Sequence, residues 1–241
     1  MTARIGRRSL AAVAGAVLVV TCAAACGADA APSTVPSPAA VAETSTSMAD
    51  VLTYKGGNTR TGVMPGPGPA TQPEVLWEHP LSDVSESQPL VVDGKVLVAT
   101  TGDVLLEIDP ATGAVLEHAL PAGVGSNPAA DGETIYVVTK DGVLRAISLA
   151  DWTERWHAPG PYSPQTTLAV SDGLVIAGGP GVLVAVSAAG GAPAWSVPAE
   201  ASTRISVDAG MAYASGDRSA VMTVVDVTRG ALVRSDRIGG A

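Results

Sequence analysis

The chain of 241 residues carries 23 acidic against 14 basic side chains, a formal net charge of −9, and only two cysteines. That balance argues against electrostatic binding of nucleic acid or of an anionic lipid surface. Both cysteines, Cys22 and Cys26, lie close to the start, so the rest of the chain must hold together without disulfides.

Residues 1–25 read as a secretory leader rather than as part of a fold. Arg4, Arg7 and Arg8 form a positive segment, and residues 10–20 form an apolar one too short for a convincing membrane span. Ala23-Ala24-Ala25-Cys26-Gly27 then resembles a bacterial lipobox. The resemblance implies that Cys26 is acylated and becomes the new N-terminus, a lipid anchor at the extracytoplasmic face of the cell membrane. Cys22, preceded by Thr21, fits less well. The three leader arginines are its only charged residues, so the exported part is more acidic than the whole.

Residues 26–47 are rich in Ala, Pro, Ser and Thr and read as a tether that cannot bury enough surface to fold. Residues 48–241 form the folded domain, long enough for a substantial core. It begins with YKGGNTRTG at 54–62, which lacks the Gly-Lys-Ser/Thr and the following helix of a phosphate loop. A packed lead-in loop is expected there. Residues 74–79, EVLWEH, read as a lone strand, with Trp77 where the later repeats close.

From there one unit is copied four times at a spacing of 39. LEIDPATGAVLE at 106–117 returns as RAISLADWTERW at 145–156, VAVSAAGGAPAW at 184–195 and TVVDVTRGALVR at 223–234. Gly113, Gly191 and Gly230 share a turn position, with Trp152 in their place in the second copy. Glu117, Trp156, Trp195 and Arg234 close the units. Each unit reads as four short strands, and Asp93-Gly94, Asp131-Gly132 and Asp172-Gly173 mark hairpins that decay to Ala209-Gly210. The second strand of each is nearly all apolar and so must be covered on both faces, which radially stacked sheets provide. Fixed repetition of this length is the signature of a β-propeller.

The repeat resembles the pyrroloquinoline-quinone-like (PQQ-like) propeller repeat, with a core of the form A-L-D-x-x-T-G-x-x-x-W. Ala185, Val186, Gly191 and Trp195 match it, as do Asp109, Thr112 and Gly113, and Ala146, Ile147 and Trp156. Glu117 and Arg234 depart from it, so the tryptophan dock is expected to be missing in two blades. The resemblance implies an all-β propeller, usually of seven or eight blades, in which an N-terminal strand completes the last blade. This chain holds four recognisable blades plus the extra strand, which leaves open a small irregular propeller, an incomplete ring or a truncated gene product.

His79, His118 and His157 also recur every 39 residues, but equivalent points on successive blades are too far apart to share one metal ion, and they read as surface residues. Trp77, Trp156 and Trp195 read as packing docks rather than as a stacking platform for a ligand. Quinone dehydrogenases of this resemblance use an adjacent cysteine pair, a calcium held by acidic and amide side chains, and a catalytic aspartate; no such cysteine pair or acidic cluster occurs here. No catalytic residue, cofactor or metal is therefore expected. The expected function is that of a cell-envelope lipoprotein whose propeller binds an envelope protein or glycan. A quinone-dependent dehydrogenase relative and a degenerate copy are the alternatives. A homodimer that completes the ring is a further expectation.

Overall fold

A computed structural model describes residues 49–64, 68–199, 204–216 and 220–238. Cys26, the leader and the tether lie outside them. Residues from Ser45 onward form one compact unit.

That unit contains four antiparallel four-stranded sheets, each a simple meander. Blade 1 is β1 (Leu90–Val92), β2 (Lys95–Ala99), β3 (Val104–Ile108) and β4 (Val115–Ala119). Blade 2 is β5 (Ala129–Ala130), β6 (Thr134–Val138), β7 (Val143–Ser148) and β8 (Glu154–Pro159). Blade 3 is β9 (Ala169–Ser171), β10 (Leu174–Gly179), β11 (Val182–Ser187) and β12 (Pro193–Pro198). Blade 4 is β13 (Arg204–Asp208), β14 (Met211–Ser215), β15 (Val221–Asp226) and β16 (Ala231–Arg237). Among the described residues there is no α-helix, and no helix is long and apolar enough to cross a membrane.

Burial falls from the inner strands of each blade to its fourth, outermost strand, as the apolar runs require. β6 is buried along its whole length, whereas most of β16 is exposed. Three cores sit between successive blades. Leu90, Leu97 and Leu105 of blade 1 meet Ile135, Val137 and Ile147 of blade 2. Tyr136, Val138 and Leu144 of blade 2 meet Leu168 and Val175 of blade 3. Ile176, Leu183 and Val197 of blade 3 meet Ile205, Val207 and Val225 of blade 4.

The hairpins follow the turn chemistry. Asp93-Gly94, Asp172-Gly173 and Ala209-Gly210 hold positive φ at both residues, the two-residue turn whose twist matches that of the strands it joins. Blades 2, 3 and 4 each carry a bulge between strands three and four, at Ala146/Ile147, Ala185/Val186 and Val224/Val225, again 39 residues apart. Blade 1 has none.

The extra N-terminal strand needs correction. Residues 74–79 join no sheet. Their tryptophan is nevertheless docked like the others.

Candidate binding cleft and the interblade docks

Three tryptophans reach from one segment to the glycine turn of the following blade. Trp77 donates its indole N–H to the Pro110 carbonyl at 2.8 Å, Trp156 to Ala188 at 2.9 Å and Trp195 to Val227 at 2.7 Å. Each ring lies against a glycine. A Cβ added to Gly113, Gly191 or Gly230 would come within 2.7, 2.6 or 2.4 Å of Trp77, Trp156 or Trp195 respectively. These glycines also hold φ between 62° and 70°. Both facts keep side chains out of the turn.

Between blades 1 and 2 the dock is reversed. Glu117 takes the outgoing position, and Trp152 occupies the glycine position at φ 59°. Its ring stacks on His118 with centroids 3.6 Å apart and planes 7° from parallel. His118 Nε2 also meets Glu107 Oε2 at 3.1 Å. So His118 belongs to a half-buried interblade seam, not to the open surface expected for it. His79 is exposed and His157 pairs with Glu154 at 2.7 Å. Among the described residues no three His, Cys, Asp or Glu side chains cluster for a metal ion.

The lead-in segment does more than precede the first strand. It crosses the innermost strands of all four blades. Val51 and Val91 exchange backbone bonds at 2.8 and 3.1 Å, and the Leu52 carbonyl accepts from Ala130 at 2.7 Å. Asn58 Nδ2 donates to the Val170 carbonyl at 2.5 Å, while the Asn58 carbonyl accepts from the Val207 amide at 2.8 Å. Arg60, itself at φ 56°, fixes the far end. Its guanidinium donates to the carbonyls of Ile205 at 2.9 Å, Tyr54 at 2.8 Å and Leu168 at 2.5 Å, and to the Thr53 hydroxyl. No carboxylate among the described residues pairs with it, and burial pulls its pKa down to about 10. These bonds tie blades 3 and 4 to the segment. The sequence marks Arg60 only as part of an Arg-Thr-Gly element.

Above this strap lies a cleft of about 750 Å³. Its walls combine Tyr54, Lys55 and Arg60 of the strap, Gln88 and Asn127 from the loops before β1 and β5, and the outward face of blade 4. That face departs from the repeat. The register places Leu90 opposite Leu97, Ala129 opposite Tyr136, Ala169 opposite Ile176 and, in blade 4, Ser206 opposite Tyr213. The first three pairs are buried against the next blade, whereas Ser206 and Tyr213 line the cleft. Ser215 and Met222 likewise stand where earlier blades hold Ala99 and Leu105, and Val138 and Leu144. Glu86 is the one carboxylate in the described lining.

Residues 70–239 match the family described as outer membrane protein assembly factor BamB. The chain belongs to that family. The structure of BamB from Moraxella catarrhalis aligns with a TM-score of 0.55 at 18% identity, over 67% of this chain and 56% of that one. Quinohemoprotein alcohol dehydrogenase from Comamonas testosteroni aligns at 0.52 and 19% identity, over 64% of this chain and 35% of that one. The computationally designed protein Ika8 aligns at 0.52 and 13% identity, covering 62% and 48%. This chain therefore spans little more than half of the BamB structure and about a third of the dehydrogenase. At such identities the likeness is one of fold, shared by an assembly factor, an enzyme and a design. No protein of curated function matches the chain by sequence.

Proposed function

We propose that this BamB-like chain is a non-catalytic binding scaffold of the bacterial envelope, anchored through lipid on Cys26, whose partner is a protein. The observation that carries this reading is the match of residues 70–239 to the assembly-factor family. The cleft is in keeping with it, because its lining includes Tyr54, Tyr213 and Met222, residue types enriched at protein interfaces.

The test is crosslinking of the full-length chain in envelope preparations, followed by identification of what is captured. Specific recovery of an envelope protein is expected. A calcium- and quinone-dependent oxidation of alcohols or sugars by the purified chain, reported by an artificial dye, would overturn the reading in favour of a dehydrogenase relative. Labelling of Cys26 by an alkyne fatty acid tests the anchor separately, and a Cys26→Ala chain that still labels would overturn it.

A further inference from the structure

We propose that the strap side of the cleft binds an uncharged glycan, a segment of polysaccharide held through its hydroxyl groups. The proposal goes beyond the scaffold reading and does not depend on a protein partner. Its groups stand on the strap and on the stretches that lead into blades 1, 2 and 3, so the site is built without the outward face of blade 4.

Gln88 precedes β1, and Asn127 holds the same repeat position before β5, 39 residues later. Both are half-buried and line the cleft. The Asn127 backbone is pinned between blades: its amide donates to the Thr166 carbonyl at 3.0 Å, and its carbonyl accepts from the Leu168 amide at 3.1 Å. A relay of backbone donors then sets how the two side chains face. The Lys55 amide donates to Gln88 Oε1 at 3.0 Å, and the Gln88 amide donates to Asn127 Oδ1 at 3.3 Å. Only the oxygen of a carboxamide accepts from an N–H, so each side chain is held with its oxygen toward the chain and its NH2 group left over. Among the described residues no acceptor takes either NH2 group.

The site therefore offers two fixed, uncharged donors. Its acceptors are the Glu86 carboxylate and the Gln165 side-chain amide, both exposed. Charge selects neither an anion nor a cation here. Lys55 and Glu86 are exposed lining residues of opposite sign, and Arg60 and Arg204 are already engaged within the protein. A hydroxyl suits every one of these groups, because it accepts from an amide NH2 and donates to a carboxylate or an amide oxygen. A polysaccharide repeats such hydroxyls on neighbouring ring carbons, and the half-buried Tyr54 adds an aromatic ring for the C–H side of a sugar. Few, fixed polar groups around one aromatic wall are the usual means by which a cleft orients a small ligand.

The experiment is affinity electrophoresis of the full-length chain through native gels that contain a soluble neutral glucan, mannan or galactan. Retardation by at least one of them is expected. The double variant Gln88→Glu with Asn127→Asp keeps both oxygens that accept from the Lys55 and Gln88 amides and removes both NH2 donors. It should weaken binding about tenfold or more, with an unchanged circular dichroism spectrum. Glu86→Ala with Gln165→Ala changes exposed side chains only and should weaken binding likewise. The proposal is overturned if none of the three glycans retards the chain, or if the Gln88→Glu, Asn127→Asp variant is retarded as strongly. Stronger retardation by dextran sulfate than by any neutral glycan would also overturn it and assign the cleft to an anion. Failure here is separable from failure of the scaffold reading. A chain that ignores glycans yet captures an envelope protein on crosslinking keeps the scaffold and loses this site, and the reverse result keeps this site and loses the scaffold.

Discussion

Ala209 holds a φ of 46°, where its neighbours in the repeat, Asp93 and Asp172, hold 48° and 51°. A left-handed backbone costs an ordinary L-residue about 1 kcal/mol, and less for Asn or Asp, whose short side chains bond locally. Ala209→Asn is therefore expected to raise stability by about 0.5–1 kcal/mol in urea unfolding, with an unchanged slope. Trp152 is under the same strain at φ 59°, but there the balance is opposite. Trp152→Gly recovers about 1 kcal/mol of backbone strain and loses the half-buried ring on His118, worth about 2–3 kcal/mol. A net loss of about 1–2 kcal/mol is expected by the same measurement. Asp226 carries the pH dependence of the last turn. The Arg229 amide, the Thr228 hydroxyl and the Arg229 guanidinium hold its pKa at about 2, below the ordinary 3.8. The folded state thus binds the proton less readily than the unfolded one, so the contribution is complete above pH 3.8 and fades as pH falls toward about 2. The melting-temperature gap between the protein and Asp226→Asn should be open at pH 6 and close on acidification through that window.

At the scale of elements the strap is the decisive piece. A blade is a local meander, and its four strands were legible because the 39-residue spacing repeats both the turns and the apolar runs. The strap was not legible. Its contacts are backbone groups of Val91, Ala130, Val170 and Val207, and no side-chain pattern announces which carbonyl a distant segment will meet. The reversed dock was half legible: the sequence singled out Trp152 as the exception and Glu117 as a missing dock, but only the fold shows that each answers the other. Residues 74–79 were read as a strand because Trp77 closes a unit; that tryptophan docks on Gly113, yet a strand also needs a neighbour to bond. Ser206 and Ser215 fall outside the strict 39-residue spacing, so their place on the blade 4 face was not legible and shows only in the strand register. The strap's weight is testable at Arg60. Arg60→Lys keeps the charge and loses the planar fork that reaches Ile205, Tyr54 and Leu168. A loss of about 2–3 kcal/mol is expected. Hydrogen exchange should quicken at the Val207 amide, which bonds to Asn58, while β10, flanked on both sides within blade 3, keeps its protection.

For the whole molecule the question is whether its open faces seek a second copy. β16 is an edge strand with Leu232 and Val233 more than half exposed, the kind of edge on which chains pair. Three features oppose that pairing. The strand carries Arg234, Asp236 and Arg237, and the first two are bonded to each other at 2.9 Å, so a facing copy would have to accommodate their charges. The outward face of blade 4 holds Ser206 and Ser215 at positions that receive a neighbour elsewhere in the fold. The Gly113 turn already holds Trp77 of its own chain, so it offers no dock to a second copy. Along this edge, charged side chains oppose the burial of Leu232 and Val233, which at about 25 cal/mol per Å² falls well short of what a stable dimer requires. Light scattering of the purified chain is therefore expected to give one copy per particle at micromolar concentration. A dimer that Leu232→Lys dissolves would show instead that β16 pairs edge to edge. A dimer that survives this change, but is lost in Ser206→Glu, would place the second copy on blade 4 and make the cleft an interface between copies.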